Sequence, residues 1–403
     1  MAQAQGIARK IARVKQSGKG TAGSSGSQLI RRTSATFNKV SETYENNEIA
    51  DHQQSTGSNE GVYATTGQVE GLLSAGTYAP EFACLLRKDF AATSAITGMT
   101  IAVAGSGPTY TITRSAGDFL TGGIKIGDVV KLTAGSFNAA NLNKNLWVVG
   151  MTATVLTVVP VNGAALVAES GITSASLAVP GKKAWVPTTG HTSDYYSYEV
   201  WQPDVPSSEL YVDCKTVQAD ISVPATGNPT VSFSIPGLSR VNGSSQVLTS
   251  PTAATTTPVL ATAQGLISLN GSLITVTSVD ISISGNVNPG EAEIGSKSRS
   301  DHQMGRVMVS GSFSAKFTST AIQAIRDAQT PVALAVIVAA DATAAADFVT
   351  FVIPAIKIFT DEANDGEVEI IRTYQWTAQI PATGGASLSN HQTIVSIQDA
   401  QAA

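Results

Sequence analysis

The side chains able to do acid–base, nucleophilic or metal chemistry are few and scattered. The four histidines, His52, His191, His302 and His391, lie far apart. None has a second ligand at metal spacing, so no zinc-type site is expected. Asp51-His52 and Asp301-His302 could each be a base with its orienting carboxylate, but no nucleophile is placed beside either pair. Their recurrence points to a repeated structural turn. Asp361-Glu362 and Glu367/Glu369 sit in or beside turns and read as solvated carboxylates. Cys84 and Cys214 are too few for a disulfide framework, and Cys84 falls among apolar neighbours as a buried thiol. There is no phosphate-binding G-x-x-x-x-G-K-[ST] loop, and no glycine-rich turn lies between a strand and a helix. No enzyme, cofactor or metal site is expected.

Charge is distributed more tellingly. Eight of the 25 basic residues and none of the 30 acidic ones lie in 1–40, leaving the rest of the chain at −13. A basic arm on an acidic body is the strongest global signal. Ile7, Ile11 and Val14 fall at helical spacing within 6–15, and the Gly/Ser/Thr run 17–27 is flexible by composition. The arm can order on docking to an acidic neighbour or remain a solvated tail. No aromatic residue precedes Phe37, so stacking on bases is not supported.

The elements around these residues read as β-structure. Charged residues make up 14% and aromatics 6% of the 403 residues, which suits short strands and tight turns better than solvated helices. From Arg306 to Phe317 the chain alternates, with Val307, Val309, Phe313, Ala315 and Phe317 on one face. A short helix follows, capped by Thr318 or Ser319, striped by Ala321, Ile322, Ile325 and Ala328, and stopped by Pro331. The same strand–helix unit recurs earlier. Asp51-His52-Gln53 echoes Asp301-His302-Gln303, and Gly61 and Gly67 are spaced like Gly305 and Gly311. Tyr63, Thr65, Val69 and Leu73 take the apolar face, and 77–88 supplies a helix with Phe82, Leu85 and Leu86. A second echo sets 219–223 against 279–283. Together they suggest a duplication. Asn162-Gly163, Asn242-Gly243, Asn270-Gly271 and Asp365-Gly366 are candidate hairpin loops.

Taken in order, 1–40 is the flexible basic arm. Residues 41–96 and 184–299 form a first β-unit, interrupted by a small β-barrel domain at 97–183 whose bends fall at Gly122, Gly123 and Gly127. Residues 300–380 form a second unit and 381–403 a polar tail. The run 239–262 reads as a loop with little to bury. No apolar run reaches the length of a bilayer span and no signal peptide precedes the body, so a soluble, cytoplasmically made protein is expected.

In this order the chain resembles the tail tube (major tail) proteins of bacteriophages with long non-contractile tails, the siphovirus type. The resemblance is carried by Ser41-Glu42-Thr43, Asn47-Glu48-Ile49-Ala50-Asp51-His52-Gln53, Leu73-Ser74-Ala75-Gly76-Thr77-Tyr78 and Tyr198-Glu199-Val200-Trp201. It continues through Asn270-Gly271-Ser272, Ile294-Gly295-Ser296-Lys297-Ser298-Arg299-Ser300-Asp301, Gly305-Arg306-Val307 with Gly311, and Val352-Ile353-Pro354-Ala355-Ile356-Lys357. It covers most of 41–380, with the barrel as an addition.

The resemblance implies a mainly β fold of tube-type sandwich or barrel units, each with a packed helix. It also implies a virion protein that assembles with itself into rings stacked as a hollow conduit. Partners would be the tape measure protein and phage DNA in the lumen, and the tail tip and terminator proteins, with no membrane. A duplicated chain needs three copies per ring; otherwise six are needed. Arg9, Lys10, Arg13, Lys15, Arg31 and Arg32 would contact a neighbouring ring. Glu48, Asp51, His52, Arg299, Asp301 and His302 would lie in loops that order on assembly. The competing reading is a surface or fibre protein whose barrel binds glycans. It would need an exposed aromatic cluster, for which Trp147, Trp185, Tyr195 and Tyr196 are the candidates.

Overall fold

In the computed structural model, which describes residues 3–49, 51–365 and 367–403, alternation is the dominant signal and strands the dominant element. The chain begins with β1 (Lys10–Lys15), β2 (Gln28–Leu29), β3 (Ser34–Glu45), β4 (Ser58–Leu72) and helix α1 (Ala79–Leu86). A closed six-stranded barrel follows: β5 (Ile96–Ser106), β6 (Thr109–Arg114), β7 (Val129–Ala134), β8 (Leu146–Met151), β9 (Val155–Pro160) and β10 (Glu169–Ala178). The chain returns through β11 (Lys182–Trp185), β12 (Tyr196–Gln202), β13 (Ser207–Cys214), β14 (Gln218–Pro224), β15 (Thr230–Ser234) and β16 (Ser239–Gly243). Then come β17 (Ala261–Leu269), β18 (Ser272–Ile274), β19 (Val276–Ser284) and the small pair β20 (Val287–Pro289) and β21 (His302–Met304). The chain ends with β22 (Met308–Lys316), α2 (Ala321–Asp327), β23 (Val332–Ala339), β24 (Phe348–Ile358), β25 (Glu362–Ala363), β26 (Ile371–Ala378) and β27 (Ser396–Asp399).

The ladders repeat. One layer of the first half runs β16-β13-β12-β1-β2, and the second half contains β27-β24-β23-β17-β18 in the same order. The facing layer runs β14-β15-β4-β3 in the first half and β25-β26-β22-β19 in the second. Each set uses its strands in the same chain order, with a helix after the fourth. Antiparallel pairing of β14 with β19 joins the two facing layers into one sheet. The strand echo at 219–223 and 279–283 therefore has another origin. These segments pair with each other, Ile221 opposite Ile281, and answer to β25 and β3 in the opposite sets. Cross-strand partners share the same in–out demand and converge on the same pattern.

The sets do not follow the expected unit boundaries. β1, β2 and the first part of β3 lie in 1–40 yet carry ladders of the first set, and β17 and β19 precede 300 yet belong to the second. β27, from the tail beyond 380, is buried throughout. Residues 10–15 are a strand, not a piece of amphipathic helix. Ile11 and Val14 suit either period, and the partners β2 and β12 decide. The run 239–262 also departs from the loop reading. Asn242-Gly243 lies in β16, while Leu248 and Leu260 are fully buried. Asn270-Gly271 does turn β17 into β18, both residues having positive φ. Gly366, half of the expected Asp365-Gly366 turn, lies outside the described residues, as does Ala50.

Burial follows the predicted face of β22: Val309, Phe313 and Ala315 are buried, while Phe317, beyond the strand, is exposed. Ser319, not Thr318, contributes at the start of α2, accepting the Ala321 N–H (3.4 Å). Pro80 opens α1 and Arg87, in the left-handed region, ends it. The barrel docks on the second set through Val129, Trp147 and Val159 against Ile337, Phe348 and Val352. A buried Lys183–Asp128 pair (2.7 Å) fixes the return strand to the barrel.

Arg13 of β1 forms a buried ion pair with Glu81 of α1, and also donates to the Thr77 carbonyl (2.8 Å). Breaking such a pair strands a charge in the core. Arg13→Met is expected to destabilise the fold by about 3–5 kcal/mol in urea titration. Arg13→Met with Glu81→Leu should recover most of that loss.

Candidate functional site

Period-two alternation sends every second residue of the shared sheet away from the core. On β14 that puts Asp220 and Ser222 on the open face while Ala219, Ile221 and Val223 are buried. On β19 the open residues are Asp280 and Ser282, and on β22 Ser310 and Ser312. With Glu70, Gln375 and Thr377 they line a groove of about 780 Å³ spanning the joint between the two sets. No Lys, Arg or His is among its lining residues, nor among those of the adjoining recess around Thr36 and Gln68.

The joint is reciprocal. Asp220 lies opposite Ser282 and Ser222 opposite Asp280. The Ser282 hydroxyl donates to Asp220 (2.6 Å) and the Ser222 hydroxyl to Asp280 (2.6 Å). Gln218 also donates to Asp220, and Gln68 and Ser34 donate to Glu70 (2.9 and 3.0 Å). Each carboxylate is thus held on the open face by neutral hydroxyl or amide donors. At Gly311 a Cβ would run into the Asp280 carbonyl and the Trp376 ring, so glycine alone lets the indole pack under the sheet. The result is a hydroxyl-rich, anionic groove with exposed Phe359 in its lining and no catalytic pair among its lining residues.

Among the residues singled out from sequence, the basic ones are largely engaged within the chain. Arg13 is buried on Glu81. Lys15 bridges Asp89 and Asp194 (3.1 and 3.0 Å), and Arg31 donates to the Thr257 carbonyl (2.6 Å). Arg32 donates to the carbonyl of half-buried Arg9 (2.6 Å), while Lys10 is exposed on β1. The loop residues divide into two places. Glu48, Asp51 and His52 sit exposed at the tip of the β3–β4 hairpin. Arg299 reaches Glu42 (3.5 Å) at its flank, and the Lys297 carbonyl accepts the Tyr63 N–H (2.9 Å).

Asp301 accepts from Tyr195 (2.7 Å) and pairs with Lys19 (3.2 Å). Partial burial opposes ionisation of Asp301, but these partners and the His302 N–H hold its carboxyl below the usual range. His302 is buried with Nε2 on the Asp213 carbonyl (2.9 Å), and burial lowers its pKa. The two Asp-His pairs therefore occupy unlike environments. Sequence reasoning missed the alternating carboxylates of β14 and β19, although their period was legible.

Residues 6–378 match the family model described as phage tail tube protein. The chain belongs to that family. No curated protein matches it. It is accordingly a virion tail component, and a structural tail tube family points to a non-enzymatic role. Among the described residues no helix is long and apolar enough to cross a membrane, and no three His, Cys, Asp or Glu side chains are grouped to hold a metal.

The aromatic residues that a glycan site would need do not form an exposed cluster in this tail tube protein. Trp147 is fully buried with its N–H on the Gly127 carbonyl (3.0 Å), and Tyr196 is buried. Trp185 is covered by His391 and Lys88, and Tyr195 by Lys215.

Asp399 ties β27 to the start of α1 by accepting the Gly76 N–H (2.8 Å). Burial pushes its pKa up to about 6, against those hydrogen bonds. A raised carboxyl pKa gives stability that is complete below the unfolded value of about 4 and lost as pH rises through about 6. Asp399→Asn should remove that component. The variant's unfolding free energy should change less than the parent's between pH 4 and 7, measured by denaturant titration at each pH.

Proposed function

We propose that this protein builds the wall of a hollow tail tube, through which the phage genome passes into the host. Three copies close each ring, so that six similar ladder sets surround the lumen, and rings stack into the tube. The observation that carries this reading is the groove on the open sheet face, whose lining residues include Glu70, Asp220 and Asp280 and no cation. An anionic wall repels phosphate and releases no counterions to it, so duplex DNA is contained without being held. The joining of two ladder sets by β14 and β19 favours three chains over six, since each chain supplies two wall segments. Closure into a ring also removes the free strand edges at β3 and β25.

The tape measure protein and DNA would occupy the lumen before and during ejection, with tip and terminator proteins capping the ends. The chain would be made in the bacterial cytoplasm of a host infected by a long, non-contractile-tailed phage. The barrel, docked on the layer away from the open face, decorates the outside. The β3–β4 tip with Glu48, Asp51 and His52, together with Lys10, remains available to a neighbouring ring.

Electron microscopy of the purified protein should show hollow tubes with three-fold symmetry and six inner lobes. Six-fold rings with one lobe per chain would remove the three-copy reading, and persistent monomers the tube itself. Tubes carrying Asp220→Lys and Asp280→Lys should retain duplex DNA with an affinity that falls steeply with salt, while parent tubes retain none.

A further inference from the structure

The next inference rests on the tube-wall reading and supplies its seam between copies. Within the chain, the first set meets the second where β14 pairs with β19. The corresponding strands at the outer ends of the sheet are β25 and β3, and among the described residues each has a strand neighbour on one side only.

Their stations can be matched through Gly67 and Gly311. Thr66, just before Gly67, lies opposite Asn38, and Ser310, just before Gly311, lies opposite Ser282. Asn38 therefore holds the place of Ser282. Three residues beyond each glycine, Glu70 lies opposite Ser232 and Ser314 opposite Thr373. Ser232 in turn lies opposite Asp220, and Thr373 opposite Glu362. Glu362 therefore holds the place of Asp220.

We propose that β25 of one copy pairs antiparallel with β3 of the next in the register of the internal joint, Glu362 opposite Asn38. Ala363 then faces Phe37, and Asp361, whose carboxylate already accepts from Arg372 (2.6 Å) and Gln323 (3.0 Å), faces Lys39. Both sheet ends carry exposed apolar side chains: Phe359, Val368 and Ile370 at one, Val40 and Tyr44 at the other.

The helices show the same incompleteness. α1 is buried at every position except Pro80, partly by the second set, since Phe82 meets Phe351 edge-on at 5.9 Å. Its counterpart α2 has no buried residue. β27, which helps to cover the α1 entry, is buried throughout, while its counterpart β16 is half-buried to exposed. The same rotation that places β25 on β3 brings α2 of one copy towards the β13–β16 edge of the next. There Ala324, the fourth residue of α2 as Phe82 is of α1, enters the contact.

The test uses the full chain with Glu362→Cys and Asn38→Cys, both at exposed positions, oxidised after assembly. Directly opposed residues in an antiparallel pair are within disulfide reach, and Cys84 and Cys214 are buried. A covalent three-chain product on a non-reducing gel is expected. Preferential linking of Glu362→Cys to Thr36→Cys or Val40→Cys would overturn the register. Tubes with no link in any pair would overturn the seam and leave the tube reading standing, whereas a parent chain that forms no tubes would overturn both. Ala324→Glu, on an exposed helix position, should leave the monomer's melting temperature unchanged and abolish assembly; tubes formed normally would overturn the helix contact.

Discussion

The rest of the structure depends on one antiparallel ladder, β14 on β19. A strand with one face buried cannot slip by a single residue without turning its apolar side chains to water. Ile221 opposite Ile281 and Phe233 beside Ala219 therefore fix the register of the joint, and the register fixes which side chains stand on the open face. Asp220, Ser222, Asp280 and Ser282 stand on the open face because their neighbours are buried. The chemistry of the open wall is thus a by-product of core packing, kept anionic by the absence of lysine and arginine from its lining.

Around this joint the chain is built with matching parts on both sides, but the parts have diverged in how they are finished. α1 is sealed by Glu81 on Arg13 and by aromatic contacts to Phe233 and Phe351. α2 has only half-buried Ile322 and Ile325 and a polar tie from Gln323 to Asp361 (3.0 Å). Divergence of this kind fits the proposed seam, in which α1 packs within its own chain and α2 meets a copy. Aromatics placed on an unpartnered surface would promote collapse or aggregation before assembly.

The barrel is a separate solution to the same edge problem. It closes on itself and leaves no free edge, then attaches by one apolar patch around Trp147 and by the buried Lys183–Asp128 pair. Gln398 reinforces this, accepting the Val129 N–H (2.8 Å) and donating to the Pro180 carbonyl (2.7 Å). These contacts leave the open sheet face untouched, so the chain carries the barrel without altering that face.

The sequence by itself determined the local pattern. The alternation of Val309, Phe313 and Ala315, a short helix before Pro331, the spacing of Gly61–Gly67 against Gly305–Gly311 and the self-contained barrel are all legible in single stretches, although the helix ends at Asp327, ahead of the proline. The order of motifs was enough to indicate the family. Tertiary structure alone decided the partners. Ile11 and Val14 fit a helix or a strand until β2 and β12 flank them, and the basic residues of 1–40 read as a free arm until Glu81, Asp89 and Asp194 meet Arg13 and Lys15. The likeness of 219–223 to 279–283 suggested equivalent positions, whereas the ladder makes them partners. Side-chain period is a property of neighbours in sequence, but ladder pairing and charge neutralisation depend on residues tens to hundreds of positions away.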